Sequence, residues 1–155
     1  MDISDQIDLL LEENAWVVDV LPEQVPAERG SRYAMFETYM DNPEMTEAFC
    51  GKLNSILTKL YCYHDLAIYL PAEEIVTEQP QITEIILAVR ACLLGEEKRD
   101  AVTEFLVRGR KPALLMVCRQ DFYMTIFGAD DEQLRLIRLL AASEGLFVRP
   151  AAGQE

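Results

Sequence analysis

The chain has 155 residues, half of them hydrophobic, with 27 Asp and Glu against 14 Lys and Arg and a formal net charge of −13. The apolar content excludes a disordered chain, and no apolar run approaches the roughly 18 residues of a membrane span. The acidic balance excludes a general nucleic-acid binder, since phosphate contacts need a surplus of Lys and Arg.

Ile3, Ile7, Leu10 and Leu11 recur at helical spacing among acids and predict a short amphipathic helix over 4–13. The β-branched run from Ala15 to Leu21 stops at Pro22 and reads as a strand. A long connection with two prolines, Gly30 and Ser31 leads to Tyr33–Met40, whose aromatics read as a second strand. Asn42-Pro43 is an N-cap followed by a proline at the first helical position. Met45, Phe49, Leu53, Ile56 and Leu60 then mark one face of a helix over about 43–61. Asp65–Leu70, ended by Pro71, reads as a third strand.

Ile82, Ile85, Ile86, Val89 and Leu93 predict a helix ending at Gly95. Glu96-Glu97 open a further predicted helix that turns Ala101, Val102, Phe105 and Leu106 inward and stops at Gly109. Ala113–Cys118 and Phe122–Phe127 form a predicted β-hairpin. Asp130 caps a helix striped by Leu134, Ile137, Leu140 and Ala141 that ends at Gly145, and Leu146–Val148 is the last strand before Pro150.

This order predicts an α+β fold: a mixed, largely antiparallel sheet of about five or six strands with helices packed on it. Residues 15–70 and 113–149 both read strand, strand, helix, strand, an echo that suggests two ββαβ units joined by a helical middle section. The whole of residues 1–155 reads as a single domain with a loose tail at 151–155.

The charge is uneven. Residues 1–47 hold 12 acids against Arg29 and Arg32, a balance of −10, while residues 48–155 hold 15 acids against 12 bases. Arg90–Arg119 reverses sign, with seven bases against four acids. Such asymmetry steers a partner or orients self-association.

Four places bear on chemistry. Tyr61-Cys62-Tyr63-His64-Asp65 holds the only histidine with a thiol two residues before it, the components of an activated thiolate. On a strand, however, residue 65 would point away from 62 and 64, and two ligands are too few for a metal. Arg108, Arg110 and Lys111, with Arg119 at the far end of the hairpin, suit a carboxylate, a phosphate or an acidic segment, and equally suit capping of a helix C-terminus. The acid clusters Glu12-Glu13, Glu73-Glu74, Glu96-Glu97 and Asp130-Asp131-Glu132 fit helix ends and solvated surface. The unbroken apolar run Ala113–Cys118 implies a strand covered on both faces or a face that meets a partner, and Tyr33, Met35, Phe36, Tyr39 and Met40 form a similar set.

No metalloprotease, hydrolase, P-loop, dinucleotide or calcium-loop motif occurs. The four cysteines, Cys50, Cys62, Cys92 and Cys118, form no CxxC and read as buried or half-buried free thiols in a reducing compartment. The acidic N-terminus lacks signal-peptide character, so the cytoplasm is the expected location. The expected role is protein interaction or homodimerisation, with no cofactor, no metal, no membrane and no catalysis. The alternatives are a regulatory domain binding an anion or small ligand at the 108–119 loop, a thiol enzyme using Cys62 and His64, and an acidic mimic of nucleic acid.

Overall fold

The computed structural model describes residues 2–95, 101–119 and 121–151. In chain order it comprises α1 (Ile3–Leu10), β1 (Ala15–Asp19), a 3-10 turn (Ala27–Arg29), α2 (Gly30–Met40), α3 (Pro43–Leu60), β2 (Leu66–Leu70) and β3 (Ile75–Glu78). Then follow α4 (Ile82–Leu94), β4 (Val102–Val107), β5 (Ala113–Cys118), β6 (Tyr123–Phe127), α5 (Asp131–Ser143) and β7 (Phe147–Pro150). The seven strands form one antiparallel sheet in the order β3-β2-β4-β5-β6-β1-β7. The class is α+β, with more strands than the five or six expected and no parallel pair among them.

The best-capped helices start where side chains can satisfy free backbone N–H groups. Asn42 Oδ1 accepts from the Met45 N–H at 3.0 Å and Pro43 opens α3. Asp130 and Gln133 exchange two bonds of 2.8 Å in a capping box that starts α5. One face of the sheet is covered by α3, α4 and α5. Phe49, Leu53, Ile56 and Leu60 of α3, Ile85 and Val89 of α4, and Leu134 and Ile137 of α5 pack there. They meet Ile68, Phe105, Leu115 and Ile126, which sit side by side across four strands. Arg138 of α5 lies over the Trp16 ring at 5.0 Å and ties the helix layer to β1.

Three segments differ from the sequence expectation, one of them β3, which lies where the sequence predicts no element. Tyr33–Met40, read as a strand, lies in α2, which buries only Met40. The helix expected from Glu96 to Gly109 is replaced over Val102–Val107 by β4, while Glu96 and Glu97 lie outside the described residues. Residues 15–70 therefore run strand, helix, helix, strand, with β3 beyond them, whereas 113–149 runs strand, strand, helix, strand. The orders agree in three of the four elements; the second differs.

Beyond Pro71, β3 pairs with β2 as an edge strand bracketed by two left-handed residues, Glu74 (φ 54°) and Gln79 (φ 46°). Gly128 (φ 73°) closes β6 against α1. A Cβ there would stand 2.7 Å from Leu10 Cδ2, so both the backbone and the space favour glycine.

Candidate functional site

The second face of the sheet carries the candidate site, and the strand register lays it out in rows. Ala67, Leu106, Leu114, Phe127 and Ala15 form one row across β2, β4, β5, β6 and β1. Ile7 and Leu10 of α1 pack on this row, with Ile3 and Phe127 at its margin. The next row runs Tyr69, Glu104, Met116, Thr125, Val17 and Arg149. The third holds Val102, Cys118, Tyr123, Asp19 and Phe147. The α1 helix has eight residues, about 12 Å of cover, and its buried side chains pack on the first row and on Tyr69 of the second; Glu104, Val17 and Asp19 of the other rows are buried as well. Met116, Thr125 and Tyr123 are half-buried.

Glu104 is the unusual member of the middle row. It is 6% exposed, and its Oε2 has no hydrogen-bond partner. Burial, and then the charge of Asp8 on α1, push its carboxyl above the usual glutamate range. The cation of its own row, Arg149, stands four strands away, about 19 Å at the usual strand spacing. There Nη2 of Arg149 is held 2.6 Å from Asp19 Oδ2. A cavity of about 210 Å³ opens beside that pair, lined by Val17, Gln24, Tyr123, Thr125, Arg149 and Ala151. Tyr123 is pushed up to about 12 by burial, then by Asp121 and by Tyr33 of α2. Along α1, Asp5, Asp8, Leu9 and Glu12 line a shallow concavity of about 350 Å³.

The residues singled out from sequence are dispersed. Cys62 and His64 lie in the turn after α3 and not on a strand. Cys62 is exposed, and its Sγ donates back to the Thr58 carbonyl at 3.6 Å; among the described hydrogen bonds none joins it to His64. The exposure of Cys62 departs from the four buried thiols expected. The other three are buried or half-buried, and burial raises each of them, Cys118 to about 11. These three are thus the opposite of activated thiolates.

Arg108 pairs with Glu78 of β3 and donates to Gln6 Oε1 of α1 at 3.0 Å, pinning α1 to the sheet edge. Arg110 and Lys111 are exposed in the β4–β5 turn, and the Lys111 carbonyl accepts from Gln133 Nε2 at 2.7 Å. Arg119, at the other end of the hairpin, donates to the Gly95 carbonyl. Six-residue strands separate the two ends by about 17–20 Å, so Arg119 does not converge with the other three. A cavity of about 650 Å³ beside Arg119 is lined also by Glu37, Asp41, Thr38, Thr46 and Phe122. Among the described residues no group of three His, Cys, Asp or Glu side chains is placed to hold a metal ion, and no helix is long and apolar enough to cross a membrane.

Sequence reasoning passed over Glu104 and Asp8. The available signal was a lone carboxylate inside the run Val102-Thr103-Glu104-Phe105-Leu106-Val107. Comparison with family models, with curated proteins and with solved structures finds no match for this chain.

Proposed function

We propose that the protein is a non-catalytic binding domain that receives a basic segment of a partner protein on the second sheet face, where Met116, Thr125 and Tyr123 are half-buried. The observation that carries this reading is Glu104, a buried carboxyl with a free oxygen on a face that α1 covers only in part. A buried charge without a partner costs stability, and a cation arriving from outside recovers that cost as affinity. Asp5 and Asp8 of α1, with Glu12 just after it, line one concavity and would steer a basic partner. Met116, unbranched and half-buried in the same row, adapts to the shape of a docked chain. Titration of labelled protein with a basic and an acidic peptide, followed by NMR, tests the reading. The basic peptide should shift the amides of residues 17, 104, 116 and 125, and salt should weaken the effect. Shifts from the acidic peptide alone, confined to 108–111, would replace this reading with anion binding at the turn.

One observation favours self-association as a second reading. Arg110 and Lys111 are exposed at the end of the sheet where Arg108 meets α1, so base and acid lie on adjoining parts of one surface. A two-fold contact would set each patch against its opposite in a second copy. Light scattering should then show a dimer at low salt that dissociates at high salt and is lost in the Arg110→Glu, Lys111→Glu double variant. A monomer at both salt levels ends that reading.

A further inference from the structure

We infer that the cavity beside Arg149 is a binding site for a small primary carboxamide, free or carried on an Asn or Gln side chain. The inference is independent of the basic-segment reading and concerns another part of the same sheet face. The cavity holds about 210 Å³, well above the roughly 30 Å³ that one water occupies in the liquid. The register sets Thr125, Val17 and Arg149 in one row across β6, β1 and β7, and all three line it. Val17 is buried and forms the floor, whereas Gln24, from the connection after β1, is exposed at the mouth. The fold does not use up the Arg149 guanidinium. Nη2 donates to Asp19 Oδ2 at 2.6 Å, Nη1 has only a 3.5 Å contact with the neighbouring Pro150 carbonyl, and Nε has no partner. The side chain is 20% exposed where it lines the cavity.

Charge selects the ligand. Asp19 is engaged at both oxygens, Oδ2 by Arg149 and Oδ1 by the Val20 N–H at 2.7 Å. That pair is neutral, and Asp121, whose charge acts on Tyr123, leaves the neighbourhood negative. An anion would enter against this field and against the −13 of the chain, while a cation would meet the guanidinium. What remains is an uncharged group with a strong acceptor. A carboxamide offers one: its carbonyl oxygen accepts from the guanidinium, and its NH2 donates to the Thr125 hydroxyl. The Gln24 amide, at the mouth, can pair with the same group. A donor left without a partner costs the fold, and a ligand that supplies the acceptor recovers that cost as affinity.

NMR of the full chain tests the site, because an arginine Nε–H resonance reports its own hydrogen bond. Butyramide at millimolar concentration should move the Arg149 Nε–H and the amide of residue 125. The Nε–H of Arg110, exposed in the β4–β5 turn, should stay in place. Butyrate and butyramidinium, of the same shape with a negative and a positive charge, should move neither reporter. Arg149→Lys keeps the charge opposite Asp19 but not the planar fork of donors. Read at residue 125, it should weaken butyramide roughly tenfold or more, the scale of a lost hydrogen bond to a charged group. Thr125→Val, still β-branched in its strand, keeps the fold and should weaken it severalfold. Gly-Gln-Gly, with Gly-Glu-Gly as its charged match, separates the sources. Tighter binding than butyramide assigns the site to a side chain of a protein, and weaker binding assigns it to a free amide. Butyrate or butyramidinium acting as strongly as butyramide, or unaltered affinity in both variants, would overturn the site. So would the absence of any shift with butyramide and Gly-Gln-Gly, which leaves the cavity to water.

Discussion

Glu104 stands between Thr103 and Phe105, both buried against the helix layer, and its own side chain turns to the opposite face. A carboxyl raised above its unfolded value binds more protons in the native state than in the unfolded one. Stability therefore falls as pH rises from the ordinary glutamate value through the raised one. Glu104→Gln removes this slope. Urea melts should show the variant more stable than the parent at neutral pH, with the gap closing as the pH drops below the ordinary glutamate range. An unchanged gap across that span would mean that Glu104 is solvated in the native state. Gain of stability with loss of affinity for the basic peptide is the signature of a residue kept for binding at a cost to the fold. None of this could be read from the chain alone. The rare His64 and the bases around 108–119 stand out in the chain instead, because rarity and sign are visible in a sequence and burial is not. His64 proves to lie in a turn, and Arg108 to be an internal tie.

At the scale of the element, α1, α3, α4, α5 and the hairpin β5–β6 were legible because each has a cap or a pattern with one dominant cause. Two elements misled for opposite reasons. In β4, Thr103, Phe105 and Val107 face the helix layer while Leu106 and Glu104 face the second side. With both faces covered the period-2 alternation vanishes, and Val102, Phe105 and Leu106 pass for a helical stripe. The β-branched Val102, Thr103 and Val107 were the better guide.

In α2 almost nothing is buried, so no amphipathic stripe exists to be read, and Tyr33, Phe36 and Tyr39 suggested a strand by composition alone. Met35 and Tyr39 are 72% and 62% exposed. A helix held by Met40 and a few loose contacts opens locally at little cost, whereas α3 buries seven of its 18 residues. Amide hydrogen exchange should therefore be faster in Gly30–Met40 than in Leu53–Leu60 by roughly a hundredfold or more. Equal protection would show that α2 is fastened by contacts stronger than its burial implies.

The whole sheet depends on a strand from the opposite end of the chain. β1 lies between β6 and β7, paired over five residues with the former and four with the latter, and its Val18 is fully buried. β7 has no other neighbour in the sheet order. Periodicity identifies β1 as a strand but carries no information on which partners it will take, so the sheet order was beyond the sequence. The order makes the two N-terminal elements unequal. A chain beginning at Glu12 loses α1, and with it the burial of Ile7 and Leu10, a cost of about 3–6 kcal/mol at about 1.5–3 kcal/mol for each side chain. It should keep its sheet and unfold cooperatively at lower urea. A chain beginning at Pro22 also loses β1, which strands β7 and exposes the β6 edge through the centre of the core. It should lose cooperative unfolding altogether, with far-UV circular dichroism reporting the loss. A cooperative transition in the Pro22 chain would mean that β6 and β7 pair directly once β1 is gone.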